Sequence, residues 1–368
     1  MKVATSGQLV SLDAVQGLRE AIADLFQVSD TTLDTPQDGY VRFRGQFLQD
    51  PASCFDDLRV RFEVYGFTPT AEPQGERVAL IGIPAVFRPT DTNHLFNLAL
   101  FIATIFSTLY VGASYASSEG SFSLLSGWPF CLSIMVILGA HEMGHYFAAR
   151  YHKVPVTLPY FIPLPITVLG TMGAVIRIKG PVKDKRALLD VGASGPWAGL
   201  FFAVPILFFG LATSSVGQLP AEMYMAEGNS LIYALMKIIV FGRFLPADGL
   251  DVHLNQVAWA GWAGLLVTSI NLIPLGQLDG GHVAYVLFGE KAKILYWPII
   301  IGMAALMLIT RTPTWLILML LLFFFGRTYA EPLDQVTELD TKRKIIAILT
   351  LLLFVLLFIP VPLRAVMP

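Results

Sequence analysis

Long apolar runs constrain this chain more than any other feature, because a helix needs about 20 such residues to cross the roughly 30 Å hydrocarbon layer of a membrane. Residues 95–115 form one such run without any charged side chain. The second to seventh such runs in chain order lie at 127–149, 188–212, 255–275, 294–310, 315–326 and 345–363. A shorter run at 230–242 carries Lys237 and is counted separately. The pattern predicts an all-α polytopic membrane protein with six to eight transmembrane helices.

Charged residues are concentrated near the N-terminus. The first 90 residues carry 8 Lys or Arg and 12 Asp or Glu, out of 25 and 27 in the whole chain. Charged residues make up 14% of the chain, against about 25% in soluble proteins. We therefore expect a small soluble module at 1–90 and a membrane-embedded domain at 91–368. The net charge of −2 has no basic block that would indicate nucleic-acid binding, and two cysteines exclude a disulfide framework.

The N-terminal module has the periodicity of an α+β domain. Apolar residues recur at helical spacing in 9–26 and 53–67, and residues 40–48 and 77–87 have the character of strands. The pattern contains no catalytic constellation. A docking or regulatory role and a simple spacer both remain open for this module.

Basic residues between the second and third runs predict the orientation of the chain. Loops on the cytoplasmic side of a membrane carry an excess of Lys and Arg. This count places the N-terminal module in the cytoplasm, and we expect a multi-pass protein of a bacterial inner membrane. The basic residues of this loop are Arg150, Lys153, Arg177, Lys179, Lys183, Lys185 and Arg186.

Residues 154–178 are apolar but do not fit a helix. The prolines at 155, 159, 163 and 165 would interrupt its hydrogen bonds, and Gly170 to Gly173 indicate a turn. Irregular or extended backbone at membrane depth survives only against protein or a water-filled cavity. We therefore expect a membrane-embedded β-hairpin that lines such a cavity.

The sequence His141-Glu142-Met143-Gly144-His145 ends the second run. Histidines four residues apart share one face of a helix, so both imidazoles can reach one metal ion. Glu142 lies beside that face, where a carboxylate can take a proton from water activated by the metal. Two His and one Glu inside an apolar run are costly unless they bind something. The alternative is a pair of core histidines that hydrogen-bond other helices.

Asp279 is the candidate third ligand for a single Zn²⁺ ion. It lies near the end of the fourth run among Pro274, Gly276, Gly280 and Gly281, which would interrupt a helix and turn the carboxylate. The alternative is an Asp that caps the following helix. Both candidate segments end on the same side of the membrane, which favours the ligand. Nearby, His282 either contacts Asp279 or is the first polar residue of the next helix.

These segments resemble the site-2 protease family of intramembrane zinc metalloproteases over roughly residues 95–330. The resemblance rests on the His-Glu-x-x-His helix, the Gly-rich hairpin and the Asn-x-x-Pro-x-x-x-x-Asp-Gly segment that begins at Asn271. The end of this last segment, from Gly276 to His282, has no PDZ-like insertion and is similar to the branch of the family that includes plant chloroplast members. The absent PDZ domain and the extra N-terminal module depart from the family pattern.

The resemblance implies site residues and a reaction. His141, His145 and Asp279 would be ligands, and Glu142 would be the base, within a core of about 127–290. Asn271 would polarise the scissile carbonyl or hold the oxyanion; alternatively, it only ties neighbouring helices together. The implied substrates are pre-trimmed, single-span membrane proteins in the lipid bilayer, cleaved in regulated intramembrane proteolysis.

Two non-proteolytic functions compete with an intramembrane endopeptidase. A metal transporter usually lines a continuous path with several ionisable residues, whereas those of this chain cluster at one depth. A catalytically idle membrane chaperone would not need Glu142 between two ligands.

Overall fold

A four-stranded antiparallel sheet with two helices forms the N-terminal domain in the computed structural model, which describes residues 11–88, 91–116, 122–219 and 223–366. The strand order is β1-β2-β4-β3. Leu18, Phe43 and Phe55 are among the fully buried residues of its core. The elements are α1 (Leu12–Ala21), β1 (Phe26–Leu33), β2 (Val41–Phe47), α2 (Pro51–Val64), β3 (Thr68–Gln74) and β4 (Arg77–Ile83).

The sequence pattern did not predict two of these strands. The helix expected over 9–26 ends at Ala21, and its first two residues lie outside the described part of the chain. β1 begins at Phe26 and has no regular alternation of buried residues, because a bulge interrupts its register with β2. β3 contains Pro69 and Pro73, which normally argue against a strand. Both missed strands lie at the edges of the sheet.

Helices dominate the rest of the chain. Among the described residues, four segments are long and apolar enough to cross a membrane: His94–Ala116, Leu124–Tyr151, Lys185–Ala212 and Asp279–Thr310. Six to eight such segments were expected, and the difference arises because several predicted spans form shorter helices. The helices are α3 (His94–Ala116), α4 (Trp128–Tyr151), α5 (Lys185–Ala212), α6 (Leu231–Phe241), α7 (Gln256–Asn271), α8 (Asp279–Phe288), α9 (Tyr296–Thr310), α10 (Leu316–Phe325) and α11 (Thr341–Leu357).

Among the described residues, short antiparallel strands between and after these helices also form pairs. β5 (Tyr160–Pro163) pairs with β6 (Thr171–Val175), within the segment where the sequence indicated a hairpin. Side chains of α3 hold this hairpin: Asn97 Nδ2 donates to the Leu158 carbonyl at 2.9 Å, and Ser107 donates to the Gly170 carbonyl. The other pairs are β7 (Ser215–Gln218) with β9 (Leu250–His253), and β8 (Tyr224–Glu227) with β10 (Leu363–Val366).

Helices α4, α5 and α7 pack against one another, and α8 packs against α5. Gly144 of α4 allows the close approach of α5, because a Cβ at this position would stand 2.6 Å from the Ser194 carbonyl oxygen. Large apolar side chains elsewhere face outward, among them Leu308 and Ile309 of α9. An exposed apolar surface of this kind suits contact with lipid.

Candidate metal centre

Three side chains with metal-binding atoms meet between α4 and the start of α8. His141 and His145 lie one helical turn apart on α4, and Asp279 is the first residue of α8. Asp279 Oδ2 is 3.2 Å from His141 Nε2 and 3.3 Å from His145 Nε2. Both histidines are buried, so the three atoms converge in a place with little access to water.

The spacing of these atoms fits zinc. Zinc binds His nitrogen and carboxylate oxygen at about 2.0–2.2 Å in tetrahedral geometry, which separates neighbouring ligand atoms by about 3.3 Å. The two measured distances to Asp279 agree with that separation. Three protein ligands with an open fourth position are typical of catalytic zinc sites, whereas structural sites have four. The Asp279 carboxylate thus has the position of a ligand.

The backbone of α5 fixes the orientation of His145. His145 Nδ1 lies 2.6 Å from the Val191 carbonyl oxygen. Because a carbonyl only accepts hydrogen bonds, Nδ1 carries the proton, and Nε2 keeps its lone pair for a metal. A second hydrogen bond of this kind orients most metal-ligating histidines.

Glycines bring α5 against both imidazole rings. A Cβ at Gly195 would stand 2.0 Å from His145 Nε2, and one at Gly199 would stand 3.1 Å from His141 Nδ1. In the sequence, the spacing of these glycines indicates only that a neighbouring helix packs closely here. Only the structure reveals that the packed groups are the candidate ligands.

Glu142 lines a cavity of about 180 Å³ together with the three candidate ligands. Its side chain is buried, and the Ile176 backbone is within hydrogen-bonding reach of its carboxylate. Ala174 and Val175 of β6 form another wall of this cavity. A molecule bound in the cavity would therefore contact the hairpin, the carboxylate and the metal-binding atoms together.

Asn271 and His282 face the same cavity. Asn271 ends α7, and its Nδ2 lies 3.2 Å from His141 Nε2, so its amide is beside the candidate metal position. His282 lies one turn after Asp279 on α8. Within the described part of the chain, its buried Nδ1 has no hydrogen-bond partner. The structure thus brings all five predicted site residues together and adds His282 to the cavity wall.

Two groups of the site cannot be identified from the sequence. The Val191 carbonyl is a backbone atom, and no residue pattern marks it. The contact between Ile176 and Glu142 depends on how the hairpin folds back onto α4, which spacing along the chain does not indicate. The Gly-rich spacing of α5 was the available signal for the close contact with the histidines.

Comparison with known proteins matches residues 129–309 to the model of peptidase family M50. The probable zinc metalloprotease EGY2, chloroplastic, of Oryza sativa subsp. indica is 28% identical over 357 residues, covering 92% of this chain and 64% of that protein. The protein of the same name from Arabidopsis thaliana is 28% identical over 359 residues, covering 92% of this chain and 63% of that protein. The probable zinc metalloprotease EGY1, chloroplastic, of Arabidopsis thaliana is 32% identical over 241 residues, covering 63% of this chain and 43% of that protein.

The chain spans about 64% of the length of the first of these relatives. No solved structure matches it.

Proposed function

Because residues 129–309 match the model of peptidase family M50, we propose that this chain is a zinc metalloendopeptidase of that family that cleaves peptide bonds in or near transmembrane segments. The observation that carries the proposal is the convergence of His141, His145 and Asp279 at a spacing that fits zinc. The three side chains would hold one ion per chain.

The residues around the ligands suit peptide hydrolysis. When bound in such a site, zinc acts as a Lewis acid and makes water nucleophilic near neutral pH. Glu142 would accept the proton that the attacking water loses and would return it to the leaving amine. Asn271 would donate a hydrogen bond from Nδ2 to the oxygen of the scissile carbonyl, where negative charge develops during attack.

The surroundings of the cavity support a membrane-spanning peptide as the substrate. The site lies between apolar helices, so a substrate helix would approach through lipid. A helix must unwind before its carbonyls are accessible, and an extended peptide can add to the edge of a strand such as β6. We propose single-span membrane proteins, cleaved in regulated intramembrane proteolysis, and we propose that α7 and α11 also cross the membrane and that the hairpin is embedded in it.

Removing a ligand tests the metal centre directly. We expect His141→Ala, His145→Ala and Asp279→Ala each to lose most of the zinc, because two remaining ligands bind the ion weakly. The measurement is zinc content by elemental analysis of the purified proteins. His94→Ala is a matched control, because His94 is exposed at the start of α3. Full zinc occupancy in all three ligand variants would refute the site.

A metal transporter and an idle membrane chaperone remain the competing functions. Glu142 favours the protease, because a buried carboxylate beside the ligands has a role in hydrolysis and none in binding a membrane segment. If the zinc-loaded protein binds single-span peptides but yields no cleavage products from any of them, the chaperone is the better explanation.

The orientation of the chain is a separate proposal. The relatives are named as chloroplastic proteins, so they do not support the bacterial inner membrane expected from the sequence. We propose that residues 1–90 face the cytoplasmic side, from the Lys and Arg residues of the loop between α4 and α5.

Cysteine labelling tests this orientation when the chain is expressed in intact cells. Cys54 is unsuitable, because it is buried and its burial raises the pKa of the thiol. Glu76 lies in the exposed turn between β3 and β4, so we expect Glu76→Cys in a Cys54→Ser background to react with an impermeant maleimide only after permeabilisation. Asp248→Cys, exposed between α6 and α7, should react in intact cells. The reverse result would overturn the orientation.

A further inference from the structure

The outer edge of β3 offers a single backbone amide for pairing. The N–H and C=O groups of successive residues in a strand point to opposite sides. Those of residues 69, 71 and 73 therefore point away from β4. Two of these residues are prolines, which have no N–H group. Ala71 is therefore the position at which another strand can both donate and accept. Prolines at an edge prevent unspecific strand addition, which leaves a place for one partner.

That partner is residues 333–335, which we call the docking strand. Ala71 N–H donates to the Leu333 carbonyl at 2.7 Å, and Gln335 N–H donates to the Ala71 carbonyl at 2.9 Å. The Thr70 hydroxyl also donates to the Leu333 carbonyl, at 3.0 Å. The Leu333 side chain is buried in the core of the N-terminal domain. The docking strand is thus joined by a parallel bridge to the edge of that domain's sheet, although it lies between α10 and α11.

The opposite side of the docking strand holds the entry to α5. Leu333 N–H donates to the Val182 carbonyl at 2.9 Å, and Asp334 N–H donates to the Lys183 carbonyl at 2.8 Å. The next residue, Asp184, caps α5 by accepting a hydrogen bond from the Ala187 amide at 2.8 Å. These contacts fix the residues at which α5 begins.

The side chains at the start of α5 add further contacts to the same segment. Lys185 Nζ donates to the Gln335 carbonyl at 2.7 Å. Arg186 Nη2 donates to the Glu338 carbonyl at 3.3 Å. The Asp334 side chain is fully buried and accepts hydrogen bonds from the Val336 and Thr337 amides at 2.9 and 3.0 Å. The docking strand is therefore held rigidly against α5.

Helix α5 carries this constraint to the metal centre. Val191 lies about two turns after the start of α5, and its carbonyl accepts the hydrogen bond that orients His145. Gly195, one turn further along, packs directly against the same imidazole ring. A shift of α5 along or around its axis would move both contacts together.

We propose that the N-terminal domain is a positioning domain for the metal centre: by holding the docking strand against residues 182–184, it fixes α5 and, through Val191 and Gly195, the imidazole of His145. The proposal rests on the proposed function for the metal site itself. It assigns to residues 1–90 a role within the same molecule, which distinguishes them from a spacer.

Ala71→Pro in the full chain tests the coupling, because it removes the one outward amide and leaves the bonds between β3 and β4 intact. We expect the amides of Leu333 and Asp334 to exchange with deuterium roughly tenfold faster, as the loss of a buried hydrogen bond predicts. We also expect Co²⁺, used as a spectroscopic probe of the zinc site, to bind about tenfold more weakly, with a changed visible spectrum. Leu12→Pro is the matched control, because the first position of α1 tolerates proline.

Leu333→Ser provides a second test that leaves the N-terminal domain's own sequence unchanged, and Leu48→Ser, at an exposed leucine, is its control. The same two effects are expected. Faster exchange at the docking strand with unchanged Co²⁺ affinity and spectrum would overturn the coupling, and so would unchanged exchange. If the wild-type chain binds no Co²⁺ at all, the metal centre itself is refuted, which is a separate result from a failure of the coupling.

Discussion

Glu142→Gln is expected to keep the metal and to lower the rate of peptide cleavage by about 10²–10⁴-fold, the usual contribution of a general base. The amide has nearly the shape of the carboxylate, so the packing of α4 and the positions of both imidazoles should not change. It cannot take the proton that the attacking water loses. The variant should therefore bind substrate and leave it uncut.

The measurement compares wild type and variant in lipid vesicles with a panel of single-span peptides, following zinc content and cleavage products together. Glu338→Gln is a matched control, because its side chain is 86% exposed and far along the chain from the ligands. It should cleave at the wild-type rate. Wild-type cleavage by a zinc-loaded Glu142→Gln protein would show that another group activates the water.

The parts of the site that the sequence predicts are those encoded within one helix or one short segment. His141 and His145 share a face of α4 because of helical geometry alone, so their approach needs no knowledge of the fold. Asp279 is distant in sequence. It was predicted because its segment ends at the same membrane depth as the histidines, and its carboxylate lies within 3.3 Å of both imidazoles.

The parts that the sequence does not predict depend on contacts between distant backbones. The Val191 carbonyl and the docking strand act through main-chain atoms, which every residue possesses, so no residue type marks them. The prolines of β3 argue against a strand when it is read alone. In the folded domain they are tolerated, because β3 lies at an edge and its Pro69 and Pro73 face away from β4.

One added methyl group at Gly195 is expected to remove most of the bound zinc without removing any ligand atom. A Cβ at this position would stand 2.0 Å from His145 Nε2 and 2.4 Å from Cε1. Neither the backbone of α5 nor the ring can yield easily, because the Val191 carbonyl holds the ring from the same helix. The ring must therefore move out of the position that a metal requires. We expect Gly195→Ala to weaken metal binding by about 10–100-fold or more, and cleavage to fall with it.

Two further glycines provide a graded comparison for Gly195→Ala. Gly199→Ala should have a smaller effect, because its Cβ would lie 3.1 Å from His141 Nδ1, a distance that a small shift relieves. Gly139 is on α4 near His141, and among the described residues no atom other than its chain neighbours and the nearby backbone of its own helix lies within 4 Å of a Cβ placed there. Gly139→Ala should keep full zinc and stabilise the helix by up to about 1 kcal/mol.

The order of zinc affinities is the decisive result, measured by competition with a chelator alongside thermal unfolding. Loss of metal from Gly195→Ala in a protein that still unfolds cooperatively would place α5 against the ligand, as the geometry requires. Equal affinity in all three variants would mean that α5 does not pack on His145, and the route from the N-terminal domain to the metal centre would be lost with it. Because all candidate ligands remain in each variant, this comparison tests the support of the site independently of its chemistry.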